Sequence, residues 1–132
     1  EVGETGVRAN LLGTVVAPSI DPPTVNGQVT AGAVASAWAY CTGGGALGFG
    51  DSYNVDTATS VRNSAGDFSI VWDRNFSSAN YAVVVTVFDN AANLMWRVNG
   101  QIAGSADIWF YTTAGVKTDP DGFSVVAFGT LS

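Results

Sequence analysis

From residue 35 onward the apolar residues fall at every second position, and no stretch carries the three-to-four spacing of an amphipathic helix. A period of two places alternate side chains on opposite faces of an extended strand. Phe68, Ile70 and Trp72 alternate with Asp67, Ser69, Val71 and Asp73. Leu94, Trp96 and Val98 alternate with Met95, Arg97 and Asn99, and Ile108 and Phe110 alternate with Trp109 and Tyr111. Ser36, Trp38 and Tyr40 share one face of a first strand, Phe49, Tyr53 and Val55 mark a second, and 59–62 begins a third. The run 81–88 is continuously apolar and β-branched, which predicts a central strand covered on both faces. The last strand is 123–128. Gly43-Gly44-Gly45, Asn63-Ser64-Ala65-Gly66, Asp89-Asn90 and Asp119-Pro120-Asp121-Gly122 supply the turns between strands. Seven to eight strands at this spacing predict an all-β fold, an antiparallel β-sandwich of jelly-roll-like type, over residues 34–132.

Residues 1–33 are different in kind. They hold three of the four prolines, five glycines and no aromatic residue. A segment without aromatic anchors, broken at Asp21-Pro22-Pro23 and Asn26-Gly27, cannot pack a core of its own. It is expected to be an extended arm or stalk with short β segments at 11–17 and 28–31, making most of its contacts with other chains. Glu1 rather than Met opens the sequence, as in a piece cut from a longer protein.

Composition narrows the partners. Only 12% of residues are charged, about half the usual share, and the net charge is −6. A neutral surface on a small β protein is expected to be covered by another copy. Arg8, Arg62, Arg74, Arg97 and Lys117 are scattered, so no basic footprint for phosphates exists, and nucleic acid is not an expected partner. An anionic membrane surface is disfavoured for the same reason, and no apolar run of about twenty residues predicts membrane insertion. Cys41 is the single cysteine, which precludes an intramolecular disulfide, and its apolar surroundings predict a buried, inert thiol.

The chain has no histidine, so a Ser-His-Asp or Cys-His arrangement cannot form. One cysteine is too few for a structural zinc site, and no metal or cofactor is expected. Asp51, Asp56, Asp67, Asp73, Asp89, Asp107, Asp119 and Asp121 mostly fall at strand ends and turns, where carboxylates cap backbone N–H groups. The glycine-rich stretch 43–50 lacks the Lys and following helix of a phosphate-binding loop. No catalytic residue is assigned, and the chain is not expected to be an enzyme. The aromatic residues are more informative. If Ile108 and Phe110 fill the core, Trp109 and Tyr111 face outward beside Arg97 and Asn99. A flat ring next to polar and charged groups suits either a subunit interface or a sugar, whose C–H face stacks while its hydroxyls hydrogen-bond. Arg97, Asn99, Trp109 and Tyr111 are therefore the candidate ligand-binding residues.

The order of short motifs also resembles a known module. Ala37-Trp38-Ala39 is followed by Asp51-Ser52-Tyr53-Asn54-Val55, Gly66-Asp67-Phe68-Ser69-Ile70, Asn80-Tyr81-Ala82-Val83 and Val125-Val126-Ala127-Phe128-Gly129. This is similar to the C-terminal module of many phage tail-fibre, spike and related virion proteins, over roughly 35–132. Phe76-Ser77-Ser78-Ala79 departs from that pattern, where the family often has a turn of the Ala-Met-Pro-Asp kind. A fainter likeness is to H-type lectins, also small oligomeric sandwiches. The resemblance implies a homotrimer exposed on a virus particle and, often, host-surface recognition, here expected to be of a cell-surface glycan; the arm, which matches neither pattern, would in a fibre be the shaft or the adaptor to other virion proteins. The alternatives are a purely structural capsid decoration, collar or head-fibre protein, and a tailspike-type glycan depolymerase.

Overall fold

A computed structural model describes residues 34–132. The expected arm, with its β segments at 11–17 and 28–31 and its contacts to other chains, lies outside the described residues. Eight strands follow in order: β1 (Ala37–Thr42), β2 (Gly48–Tyr53), β3 (Val61–Ser64), β4 (Asp67–Val71), β5 (Ala82–Phe88), β6 (Leu94–Ile102), β7 (Ser105–Thr112) and β8 (Gly122–Phe128). They form two antiparallel four-stranded sheets, sheet A in the order β2-β1-β8-β5 and sheet B in the order β3-β4-β7-β6. This is the all-β sandwich expected from the alternation.

The two inner faces complement each other in size. Sheet A turns mostly small side chains inward, Ala37, Ala39, Cys41, Val125 and Ala127, while sheet B contributes Phe68, Ile70, Ile108 and Phe110. Small opposite large lets the sheets interdigitate at interior density. Phe123 of β8 is the large residue from sheet A, its ring centroid 5.2 Å from Phe68 and 4.8 Å from Phe110. Burial leaves the Cys41 thiol without solvation for a thiolate and pushes its pKa up to about 12, so it stays protonated and unreactive.

A second cluster closes one end. Phe76 stacks on Tyr81 at 4.0 Å, and Trp72 meets both edge-on. The Trp72 indole N–H donates to the Tyr81 hydroxyl at 2.9 Å. The single hydroxyl proton of Tyr81 serves the carbonyl of Ile102 or of Ser105, both at 2.8 Å, and so ties the β6–β7 hairpin to the body. Phe76, where the chain departs from the virion pattern, is thus a core residue.

Several motif residues have structural roles. Asn54 adopts a left-handed backbone (φ 55°), ends β2 and sends Val55 into the core. Its side chain donates to the Ser36 and Arg74 carbonyls and accepts from the Arg74 N–H. Val55 therefore anchors the turn after β2 instead of extending that strand.

The run 81–88 is a correction to the sequence reading. Its strand, β5, is an edge strand that pairs only with β8 among the described residues. Ala82, Val84, Thr86 and Phe88 are exposed. Both central burial and an apolar outer face give a strand without polar alternation, and local composition cannot separate them. The apolar residues here belong to an outer face that is exposed among the described residues.

Candidate functional site

Trp109 is the middle residue of a three-strand row on the outer face of sheet B. Register places Arg97 of β6 on one side of it and Asp67 of β4 on the other. Ile108 and Phe110 are fully buried, so Trp109 and Tyr111 point outward, as the alternation requires. A register irregularity between Val98 and Gly100 leaves Asn99 as an extra residue on β6. This brings the Asn99 amide oxygen to 3.2 Å from Arg97 Nη2, which donates to it. Arg97, Trp109 and Tyr111 line one pocket of about 250 Å³, joined by Gly115 and Lys117, and Asn99 reaches it through Arg97.

Lys117, the single lysine of the chain, was not among the sequence-derived candidates. Its route into the site is local. Gly115, with φ 82°, reverses the chain after β7, and a bridge then sets Lys117 opposite Tyr111. A glycine turn after a strand was the available signal. Further along, Thr118 donates its N–H to the Phe110 carbonyl, next to the point where Phe110 N–H donates to the Gly66 carbonyl. Gly66 must be glycine there: its φ is 65°, and a Cβ would sit 2.4 Å from the Phe110 oxygen and 2.6 Å from the Thr118 nitrogen.

Asp119 staples this return segment to the body. It accepts from Arg62 Nε and Nη2 and from the Gly66 N–H. Burial pushes the Asp119 carboxyl up, but the Arg62 hydrogen bond, the Gly66 N–H and the guanidinium charge outweigh it and hold it below the ordinary carboxylate range. At Asp67 burial again acts upward. Hydrogen bonds from Asn63, Lys117 and the Trp109 indole, with the Lys117 charge, outweigh it in the same way. Lys117 Nζ lies 3.1 Å from Asp67 and 3.3 Å from the centroid of the Trp109 ring, and the Arg97 guanidinium carbon is 4.5 Å from that centroid. The indole thus carries two cations on its π-system.

A pH dependence follows. A carboxyl whose folded pKa is depressed contributes stability fully above its unfolded value, about 4, and loses it as pH falls through the folded value. The thermal midpoint of the sandwich is expected to be level from neutral pH to about 5 and to fall below about 4. Asp119→Asn should lower the midpoint at pH 7 and flatten the acid decline. Circular dichroism melts across that range check this, and an unchanged acid decline in the variant would contradict the staple.

Three more carboxylates accept from backbone groups, and Asp107 accepts from the Ser69 hydroxyl. Asp56 accepts from the Ala58 and Thr59 N–H groups, Asp89 from Ala91, Ala92 and Asp121, and Asp121 from Asn90. Among the described residues no group of three potential metal-ligating side chains gathers.

A second surface is the outer face of sheet A. Register aligns Tyr53, Trp38, Val126 and Val84 in one row across all four strands. Tyr53 is 55% exposed, Trp38 39% and Val84 50%. Tyr40 and Ser124 lie in the adjoining row, and Phe88 ends β5. The outward residues of β1, β8 and β5 include no charged side chain; Asp51 stands beside Trp38 and Tyr40 at the β2 border. Neither Trp38 nor the other members of this row were sequence-derived candidates, because alternation tells two faces apart but not which one is wet when both are apolar.

No family model, curated protein or solved structure matches this chain.

Proposed function

We propose that the chain is the β-sandwich module of a phage fibre or spike, exposed on the virus particle, that assembles as a homotrimer and recognises a host-surface glycan. Its action is binding, not turnover. The observation that carries this reading is the uncharged apolar row across sheet A, which ends at β5, an edge strand among the described residues. Contiguous apolar surface of this kind marks an interaction site, and an apolar edge strand left bare invites pairing with another chain. A second copy is the fitting occupant. Two molecules of net charge −6 repel each other, and this neutral face is where they approach with least cost. Closed symmetry would then cover the face on every copy, and a trimer is the number that the resemblance to virion modules favours. The arm, 1–33, serves on this reading as the connection to other virion proteins.

Glycan recognition belongs to the Trp109 pocket, on the sheet facing away from the proposed interface. Several weak copies on one particle reinforce each other. The commitment of Asp56, Asp89, Asp119 and Asp121 to backbone N–H groups supports binding over hydrolysis. A purely structural decoration or collar role is the second reading, favoured by one observation: Lys117 already lies over the Trp109 ring.

The test is Trp109→Ala in particles that carry the chain. Intact assembly with adsorption reduced at least about tenfold is expected, since losing the ring that holds Arg97 and Lys117 in place, about 1 kcal/mol per site, is repeated over many copies. Intact assembly with unchanged adsorption would leave only the structural role.

A further inference from the structure

We infer that the pocket between Arg97, Trp109, Tyr111 and Lys117 takes a carboxylated sugar, with the carboxylate on the two cations and the ring against the aromatic residues. The inference deepens the reading of this pocket as a receptor contact and rests on it. Two of the five basic residues of an acidic chain meet here. They are held in place before any ligand arrives, Lys117 by Asp67 and both by the Trp109 ring.

Their hydrogen-bonding capacity is largely unspent. Arg62 is satisfied by Asp119, and Arg74 donates to the Ser132 carbonyl. Arg97 has no carboxylate partner among the described residues and spends one donor on Asn99. A guanidinium carries five N–H donors in a planar fork that matches a carboxylate. An ammonium carries three, and Asp67 engages Lys117 from one side. A neutral sugar would have to displace Lys117 to stack on the covered π-face of Trp109, whereas an acidic sugar uses the cation where it stands.

Size and net charge restrict the ligand further. About 250 Å³ lies below the range of about 300–1,000 Å³ for pockets that enclose drug-sized ligands, and suits a single ring. The net charge of −6 repels a long polyanion, so the fitting element is one acidic residue presented at a chain end or branch. The Tyr111 hydroxyl and the Asn99 amide remain for the sugar hydroxyls.

The test is a titration of the full 15N-labelled chain with D-glucuronate, D-glucose, acetate and triglutamate in turn, read at the Trp109 indole N–H and the Arg97 Nε–H resonances. Glucuronate is expected to give a saturable shift, with glucose and acetate at least about tenfold weaker, the size of one charge-assisted hydrogen bond. Arg97→Gln should weaken glucuronate binding about tenfold with an unchanged thermal midpoint. Equal binding of glucose would overturn the acidic class while keeping a sugar site. Equal binding of acetate or triglutamate would overturn the sugar class. No shift with any probe would overturn the inference altogether, and the oligomeric mass would still judge the assembly reading separately.

Discussion

Phe123→Ala is expected to lower the stability of the sandwich by about 3–5 kcal/mol, the cost of emptying a phenylalanine site in a packed core. Phe123 is the one large inward residue of sheet A that touches two rings of sheet B, Phe68 and Phe110. The other buried hydrophobic residues of sheet A, Ala37, Ala39, Cys41, Val85, Val125 and Ala127, are all too small to fill the space. Against a total of about 5–15 kcal/mol for a domain, the loss is a large fraction. At about 4–8 °C per kcal/mol for a domain of this size, the thermal midpoint should fall by tens of degrees. A fall of only a few degrees would mean that the Trp72–Phe76–Tyr81 cluster, not the phenylalanine triad, holds the sheets together.

Val84→Glu is expected to dissociate the assembly while leaving each chain folded. Val84 stands at the centre of β5, half exposed, in register with Val126 and through it with Trp38. On a solvated surface the substitution costs within about 0.5 kcal/mol. In a covered apolar interface it buries an unpaired carboxylate, at several kcal/mol for each copy. Every 1.4 kcal/mol is about tenfold in association, so the change is expected to be orders of magnitude. Sedimentation should show a single-chain species with the wild-type circular dichroism spectrum. A variant that sediments as the wild type would remove the sheet A face from the interface.

Much of this architecture could be read from the residues, and the failures have identifiable causes. Ile108 and Phe110 inside, Trp109 and Tyr111 outside, followed from period-two alternation, because one residue of offset exchanges the faces completely. Arg97 came beside Trp109 because β6 and β7 form a tight hairpin whose register the turn determines. The place of β5 was not legible. Strand order is settled by which sheets meet, and an edge strand under an apolar outer face has the same local composition as a buried one. The inward set of β1 was obscured similarly, since Trp38 and Tyr40 are the larger apolar residues and yet face out. Lys117 was missed because it enters the site through a return loop that no periodicity describes. Its position depends on Gly115, Gly66 and the Arg62–Asp119 pair, which are far apart in sequence.

The central claim is that the bare face of sheet A is covered by copies of the same chain. Light scattering of the intact chain at micromolar concentration and physiological salt measures this directly. The account predicts a mass three times the 13.6 kDa of one chain. A mass of one chain under those conditions would contradict it.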